Sequence, residues 1–463
     1  MKHNNRLIAI LDRAETGPMM DEKEFEGKLI TEVTKRLIKE YDIQYNPEEI
    51  IIDDDAFTDR LFKAGLDFAV EVGMLCTSTS RRIIWQRSEY EDALRHTPNT
   101  AVLGTGADSV TVKSRKPESN EPPIILGGPY GVEVPEDLFV KLMLSYAQEG
   151  VIDVIDNPTL ESVHGRAPKA ASPWEVLGGW REAELSMQVV NQAGRPGMCI
   201  AGVELSPTAL GEIAASSWGG FRPSDLHHIA GVSEFKTNYD SLSKLAHIHR
   251  IGGAIYAFMA CIYGGYLGGA EGIALGLTAA AIVLNQNYMP AIMSLSSIHP
   301  FLQCTTTPEI FWAFSTASQA LSRNSNLIIS SLVRPSAGPG TKTMLYENAA
   351  FTVATTIAGQ SFIQASMSAA GTRPRHASGL DAKICGEVAH ATAASGMSRK
   401  DADKIVKHLL KIYQPDLEKK LVGQPFEEVY DQQTIRPTTE WQQTYDEVIS
   451  ELVELGLPLD NLS

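Results

Sequence analysis

Residues 193–204 read AGRPGMCIAGVE. A Gly-Arg-Pro-Gly turn opens into an apolar run, Met198 to Val203, that stops at Glu204. A short apolar run between turn residues reads as a strand buried on both faces, the form strands take in parallel sheets. Similar runs recur along the chain: AVLGTG (101–106), PIILGG (123–128), VIDVID (151–156), HHIAGVSEF (227–235), AIYAFMA (254–260), SSIHPFLQC (296–304) and NLIISSLV (326–333). Helix-like segments separate them, among them Glu136–Glu149, Trp174–Ala193, Ser241–Arg250, Gly272–Gln286 and Pro308–Ser322. Eight strands alternating with helices over about 230 residues predict an α/β fold, a (β/α)8 TIM barrel. Ligand loops in such a barrel stand at the C-terminal ends of the strands. The sequence places GTG, GGPYG, IAGVE and SAGPG at or near those ends. Ala201 and Gly202 are therefore small where a barrel enzyme carries reactive side chains.

The flanks have a different pattern. Residues 1–95 are charged, and apolar residues recur at three- and four-residue spacing over Glu24–Lys39 and Phe57–Val72, predicting helices. Near the other end, Ser398 is placed to cap a helix with Asp401 three residues on. Ala402, Ile405, Val406, Leu409, Leu410 and Tyr413 follow one face, and Pro415 ends it. Residues 440–455 read as a last helix. The predicted layout is a helical N-terminal extension (1–95), a barrel (96–375) and a C-terminal helical extension (376–463).

Composition narrows the function. The 463 residues carry 56 acidic and 40 basic side chains, a net charge of −16, which argues against nucleic acid and anionic membrane as partners. The five cysteines, Cys76, Cys199, Cys261, Cys304 and Cys385, are scattered and form no C-x-x-C pair. They read as free buried thiols in a reducing, cytoplasmic setting, without a disulfide framework or zinc knuckle. The apolar run LIAIL near the N-terminus is too short for a signal-peptide core. Residues 251–270 lack charge, but six glycines among them favour a buried strand followed by a loop over a membrane span.

Several residues are candidates for chemistry. His247 and His249 would share a face on a strand but diverge on the helix predicted there, so a metal pair is disfavoured. In His227-His228, one ring can face the barrel mouth while the other packs outside. Tyr256, Phe258, Tyr263 and Tyr266 cluster around one strand, with Trp218 and Phe221 upstream, either as core or as walls for a cationic ligand. GTGADS and GGPYG match no nucleotide fingerprint and read as tight loops that let a flat ligand approach the rim. Arg334, just past a strand end, is either a carboxylate anchor or an exposed loop arginine.

Taken in order, LFKAG (61–65), LGTGADSVTV (103–112), GGPYG (127–131), SYAQE (145–149), AGRPGM (193–198), YGGYLGG (263–269), SAGP (336–339), GEVAHATA (386–393) and YDQQTIRPTTE (430–440) resemble the monomethylamine methyltransferase family of methanogenic archaea. The resemblance runs from about residue 57 to the C-terminus. It implies a (β/α)8 barrel, a homo-oligomer (a hexamer in the family), and methyl transfer from a methylamine to Co(I) of a separate corrinoid (cobalamin) protein. The family carries pyrrolysine on the strand after AGRPGM; here Ala201 holds that position. Spacing from the shared motifs places His228 and Phe258 where the family has two acids, and Leu332 where it has a glutamine.

These changes together predict a different methyl donor. A quaternary ammonium has a neutral amine as its leaving group and no N–H for carboxylates to hold. Aromatic faces hold such a cation. The expected substrate is a small methylated amine, quaternary or betaine-like, held by Phe258, Tyr256, Leu332 and Ala201. Arg334 or His228 takes its carboxylate, and His228 is the catalytic candidate. Gly127 and Gly128 are expected in a rim loop facing the corrinoid, with no metal and no tightly bound cofactor in this chain. Three readings stay open beside it: a methoxy or methylthio donor with His228 as acid or zinc ligand, a non-catalytic amine-binding relative, and a metallohydrolase using His247 and His249.

Overall fold

The computed structural model describes residues 2–202 and 206–459, with side chains from residue 5 onward. Eight parallel strands close into one barrel: β1 (Ile124–Gly127), β2 (Val154–Asp156), β3 (Cys199–Gly202), β4 (Leu226–Ala230), β5 (Ala254–Ile262), β6 (Ile292–Ile298), β7 (Ile329–Leu332) and β8 (Phe362–Ala365). Each strand pairs with the next in chain order, and β8 returns to β1 through Gln364 opposite Leu126. A helix follows each strand: α1 (Glu136–Ala147), α2 (Pro173–Gln192), α3 (Ala209–Ala215), α4 (Tyr239–Ile251), α5 (Ala270–Tyr288), α6 (Pro308–Asn324), α7 (Lys342–Ile357) and α8 (Gly379–Ala394). A parallel sheet requires such crossovers, and their apolar faces bury its outer surface.

The flanking helices belong to the same core. One buried apolar cluster runs from Ile10 to Leu459. The N-terminal helix Asp55–Val72 packs on α5 so closely that a Cβ at Gly65 would lie 2.6 Å from Thr278 Cγ2. That cover explains why α5 is buried on every side from Gly272 to Tyr288: it lies between barrel and extension. No helix among the described residues is long and apolar enough to cross a membrane. The C-terminal helix Arg399–Tyr413 begins as the sequence predicts, with Ser398 Oγ accepting from the Asp401 N–H at 3.2 Å.

The predicted barrel holds, but one predicted strand lies outside it, one barrel strand is not among those predicted, and one is displaced. AVLGTG (101–106) is not a barrel strand. Thr100–Leu103 pairs antiparallel with Val110–Lys113, and the hairpin's Leu103 and Val112 pack into the lumen against Leu126, Val154, Cys199 and Leu226. Gly104 and Thr105 donate to the carbonyls of Ser224 and Gly197, just before β4 and β3, so the hairpin plugs the N-terminal end of the barrel. Packing on the lumen floor gave this segment the apolar look of a barrel strand. The true eighth strand, FIQA (362–365), was missed because it is four residues long and carries a polar Gln364. SSIHPFLQC is displaced: β6 spans Ile292–Ile298, and the chain then turns into a loop. The end of the run at Val203 and Glu204 lies outside the described residues.

Candidate active site

Alternate side chains on a strand share a face. Val154, Cys199, Leu226, Tyr256, Ile328 and Phe362 all belong to the lumen cluster. Two residues further along each strand, the same face carries Asp156, Ala201, His228, Phe258, Ser330 and Gln364, with Leu332 one step beyond Ser330. The ladders match this: Ala201 lies opposite Leu226 and Asp156, His228 opposite Tyr256, and Leu332 opposite Gln364. Exposure grows towards the C-terminal ends on this inner face alone. On β5, Phe258, Ala260 and Ile262 are half-buried, whereas outward-facing Ala257, Met259 and Cys261 are buried. Ala230, at the end of β4, is exposed. The C-terminal mouth is therefore the water-facing end of the lumen. Ala201, fully buried beside Leu226, lies in its floor.

Four rings cluster at this mouth. His228 lies 4.9 Å from Tyr256 and 6.1 Å from Phe258, centroid to centroid. Tyr130 leans in from the loop after β1, 5.7 Å from His228 and 6.2 Å from Phe258, edge-on to the latter. The Tyr256 hydroxyl donates to Gln364 Oε1 at 2.7 Å and lies 3.0 Å from the Ser330 hydroxyl. Gln364 Nε2 donates in turn to Asp156 Oδ2 at 2.7 Å. This chain fixes the hydroxyl in the floor, so Tyr256 contributes its ring to the wall. Burial lowers the pKa of His228 below its ordinary value, against the opposing pull of Asp156 and Glu212, and keeps the imidazole neutral at neutral pH.

The pair His227-His228 divides as alternation requires. His227 faces outward, its Nδ1 2.8 Å from Glu212 Oε1 and its Nε2 3.1 Å from the Arg222 carbonyl. Arg334 stands two residues past β7, half-buried. Its main chain is pinned to Thr305: the Arg334 N–H donates to Thr305 Oγ1, and the Thr305 N–H donates to the Arg334 carbonyl, both at 2.9 Å. Its guanidinium makes no hydrogen bond or ion pair among the described residues. Burial lowers its pKa while nearby Tyr130 raises it, and a guanidinium remains charged at neutral pH. Among the described residues, the mouth thus brings together aromatic rings, a neutral imidazole and the Arg334 guanidinium.

Gly127 and Gly128 are both buried, and packing explains their size. A Cβ at Gly128 would fall 2.0 Å from the Asp156 carbonyl oxygen, and one at Gly127 would fall 2.7 Å from Ile152 Cδ1. The residue of that loop that reaches the mouth is Tyr130. His247 and His249 lie on α4, where residues two apart point away from each other, and His247 Nε2 is 2.8 Å from the Ser216 hydroxyl. All five cysteines are buried and unbridged.

The model of the monomethylamine methyltransferase MtmB family matches residues 6–457. The chain belongs to the monomethylamine methyltransferase family. Its relatives include monomethylamine methyltransferase MtmB2 of Methanosarcina acetivorans, 32% identical over 452 residues that cover 96% of this chain and 97% of that protein. Monomethylamine methyltransferase MtmB1 of Methanosarcina barkeri (strain Fusaro) is 33% identical over 452 residues, with the same coverage of each. The crystal structure of Methanosarcina barkeri MtmB superposes with a TM-score of 0.94 at 31% identity, covering 97% of this chain and 98% of that one. The hydroxylamine complex of MtmB gives the same values.

As a monomethylamine methyltransferase family member, the chain is a methyltransferase built on this barrel. Ala201, His228, Phe258 and Leu332, the positions that the resemblance singles out, all lie on the lumen face of their strands. Sequence reasoning missed Tyr130, Asp156 and Gln364. Tyr130 sits in GGPYG, read there only as a tight loop. Asp156 ends a strand that was recognised, but its inward parity becomes visible only once Val154 is placed in the lumen.

Proposed function

We propose that this chain moves a methyl group from a small quaternary or betaine-like methylated amine to Co(I) of a partner corrinoid protein. The observation that carries this reading is the set of four rings, Tyr130, His228, Tyr256 and Phe258, near the guanidinium of Arg334, which pairs with no group among the described residues. Each ring face attracts a quaternary ammonium by about 0.5–2 kcal/mol. The guanidinium offers a carboxylate two parallel charge-assisted bonds. A betaine-like molecule has both ends, a methylated cation and a carboxylate.

The corrinoid of the partner supplies the nucleophile, Co(I), which becomes methyl-Co(III) while the electron pair of the C–N bond leaves with a neutral tertiary amine. The residues of this chain hold the donor for that displacement. The rings fix the cationic nitrogen, and Arg334 fixes the other end. His228, to which we assign the catalytic place, presents an uncharged ring to the nitrogen as its positive charge disappears. Leu332 and Ala201 leave the space that a long side chain would fill. Ala230, Gly264 and Gly265 are small and exposed, which leaves room for a flat macrocycle at the mouth. We further propose a cytoplasmic homo-oligomer of the family's kind, hexameric by resemblance.

The test is single-turnover mixing with Co(I) corrinoid protein and a panel of methylamines, betaines, methoxy and methylthio compounds, read as methyl-Co(III) absorbance. A quaternary or betaine-like donor is expected to react. Methyl transfer from monomethylamine alone would overturn the substrate reading, and transfer from a methoxy or methylthio donor alone would replace it.

A further inference from the structure

The Arg334 side chain has no partner of its own among the described residues, so something else must set its place. Its main chain is bonded twice to Thr305, on the loop after β6. Next to each of these anchor points lies one buried carboxylate, Glu347 of α7. Glu347 Oε2 accepts from the Thr306 hydroxyl and, at 2.7 Å, from the Ser336 N–H. Its Oε1 accepts from the Ser336 hydroxyl and the Ala337 N–H, each at 3.0 Å. One side chain therefore clasps two rim loops, those after β6 and β7, on either side of Arg334.

We propose that Glu347 is a positioning residue that holds the Arg334 guanidinium in place to receive the carboxylate of the substrate. The inference rests on the betaine-like reading above and extends it to a residue that touches no substrate. A clasp of this kind is not free. Burial pushes the Glu347 carboxyl up to about 7, against four donors that favour its charged form. A residue that merely filled this space would be apolar and avoid that penalty. Gln at this position keeps the volume but turns one acceptor oxygen into a donor amide, which opposes either the Thr306 hydroxyl and the Ser336 N–H or the Ser336 hydroxyl and the Ala337 N–H.

The test is equilibrium binding to the full chain of two probes: trimethylglycine, which carries a carboxylate, and tetramethylammonium, which does not. Glu347→Gln is expected to weaken trimethylglycine about tenfold while leaving tetramethylammonium within about twofold, because only the guanidinium end is displaced. Arg334→Gln is expected to weaken trimethylglycine by about 10- to 150-fold. The double variant should bind no more weakly than Arg334→Gln alone, since a positioning residue has nothing left to position. Thr306→Val removes a single donor of the clasp and, if Glu347→Gln does not fold, must show the same selective loss on a smaller scale. Equal losses on both probes, no loss on either, or additive effects in the double variant would overturn the role of Glu347 while leaving Arg334 in place. No effect of Arg334→Gln would instead remove the carboxylate reading itself.

Discussion

Replacing Phe258 with Leu tests whether the mouth recognises charge or only shape. Leu keeps an apolar side chain on β5 but removes a ring. That ring stands edge-on to Tyr130 at 86° and to His228 at 85°, the perpendicular arrangement of neighbouring walls around a common centre. Losing one face of the four removes about 0.5–2 kcal/mol of attraction for a cation. In Kd this is a factor of about 2 to 30. The assay is calorimetric titration with trimethylglycine and with 3,3-dimethylbutanoate, its isostere in which carbon replaces the charged nitrogen. Trimethylglycine should lose the full factor, and the isostere, whose carboxylate is retained but whose tert-butyl end is uncharged, should change less than about twofold, since apolar burial is nearly conserved. Phenylalanines of increasing fluorination at the same position should weaken trimethylglycine in equal logarithmic steps. Equal losses for both ligands, or indifference to fluorine, would refute the cation-binding assignment.

Other parts of the structure make equally specific demands. Gly128→Ala places a methyl group 2.0 Å from the Asp156 carbonyl oxygen, and thermal or denaturant unfolding should register a loss of about 1–3 kcal/mol or more. His227→Gln breaks the buried contact with Glu212 at 2.8 Å, and unfolding should show a loss of about 3–5 kcal/mol at pH 6. The pH dependence of that loss has a definite sign. Burial lowers the pKa of His227, but the bond and charge of Glu212 outweigh it and raise the folded-state value above the ordinary 6.5. The stabilisation is therefore complete below about pH 6.5 and disappears as pH rises through the raised value. Wild-type stability should decline more steeply than that of His227→Gln from pH 6 to 9. Parallel curves would contradict the pairing.

Much of the barrel was legible because its strands are short and apolar while its helices have clear ends. Ser398 with Asp401 announced its helix, and the six-residue runs around Ile125, Val154 and Ile200 fell on true strands. FIQA was not legible: in a four-residue strand with two inward residues, Phe362 and Gln364, the polar one breaks the apolar signature, and its polarity is sustained by a hydrogen-bond chain assembled from β2 and β5. The hairpin after residue 100 misled for the opposite reason, since Leu103 and Val112 are apolar to face the lumen from outside the barrel. In the candidate site, Tyr256 and Phe258 share a face by simple alternation, and His228 joins them across the ladder. Tyr130 and Glu347 could not be read locally. One reaches the site along a loop bent by its glycines, and the other acts through two loops that meet only in the closed barrel.

With the hairpin filling the N-terminal end, the lumen faces water at its C-terminal mouth. On the function proposed above, donor and spent amine both pass through this mouth, so a corrinoid partner seated there also shuts the donor in. Turnover then becomes a queue: the amine enters first, the partner arrives second, and nothing leaves until the partner lets go. High partner concentration should therefore slow the reaction by blocking the entrance of empty enzyme.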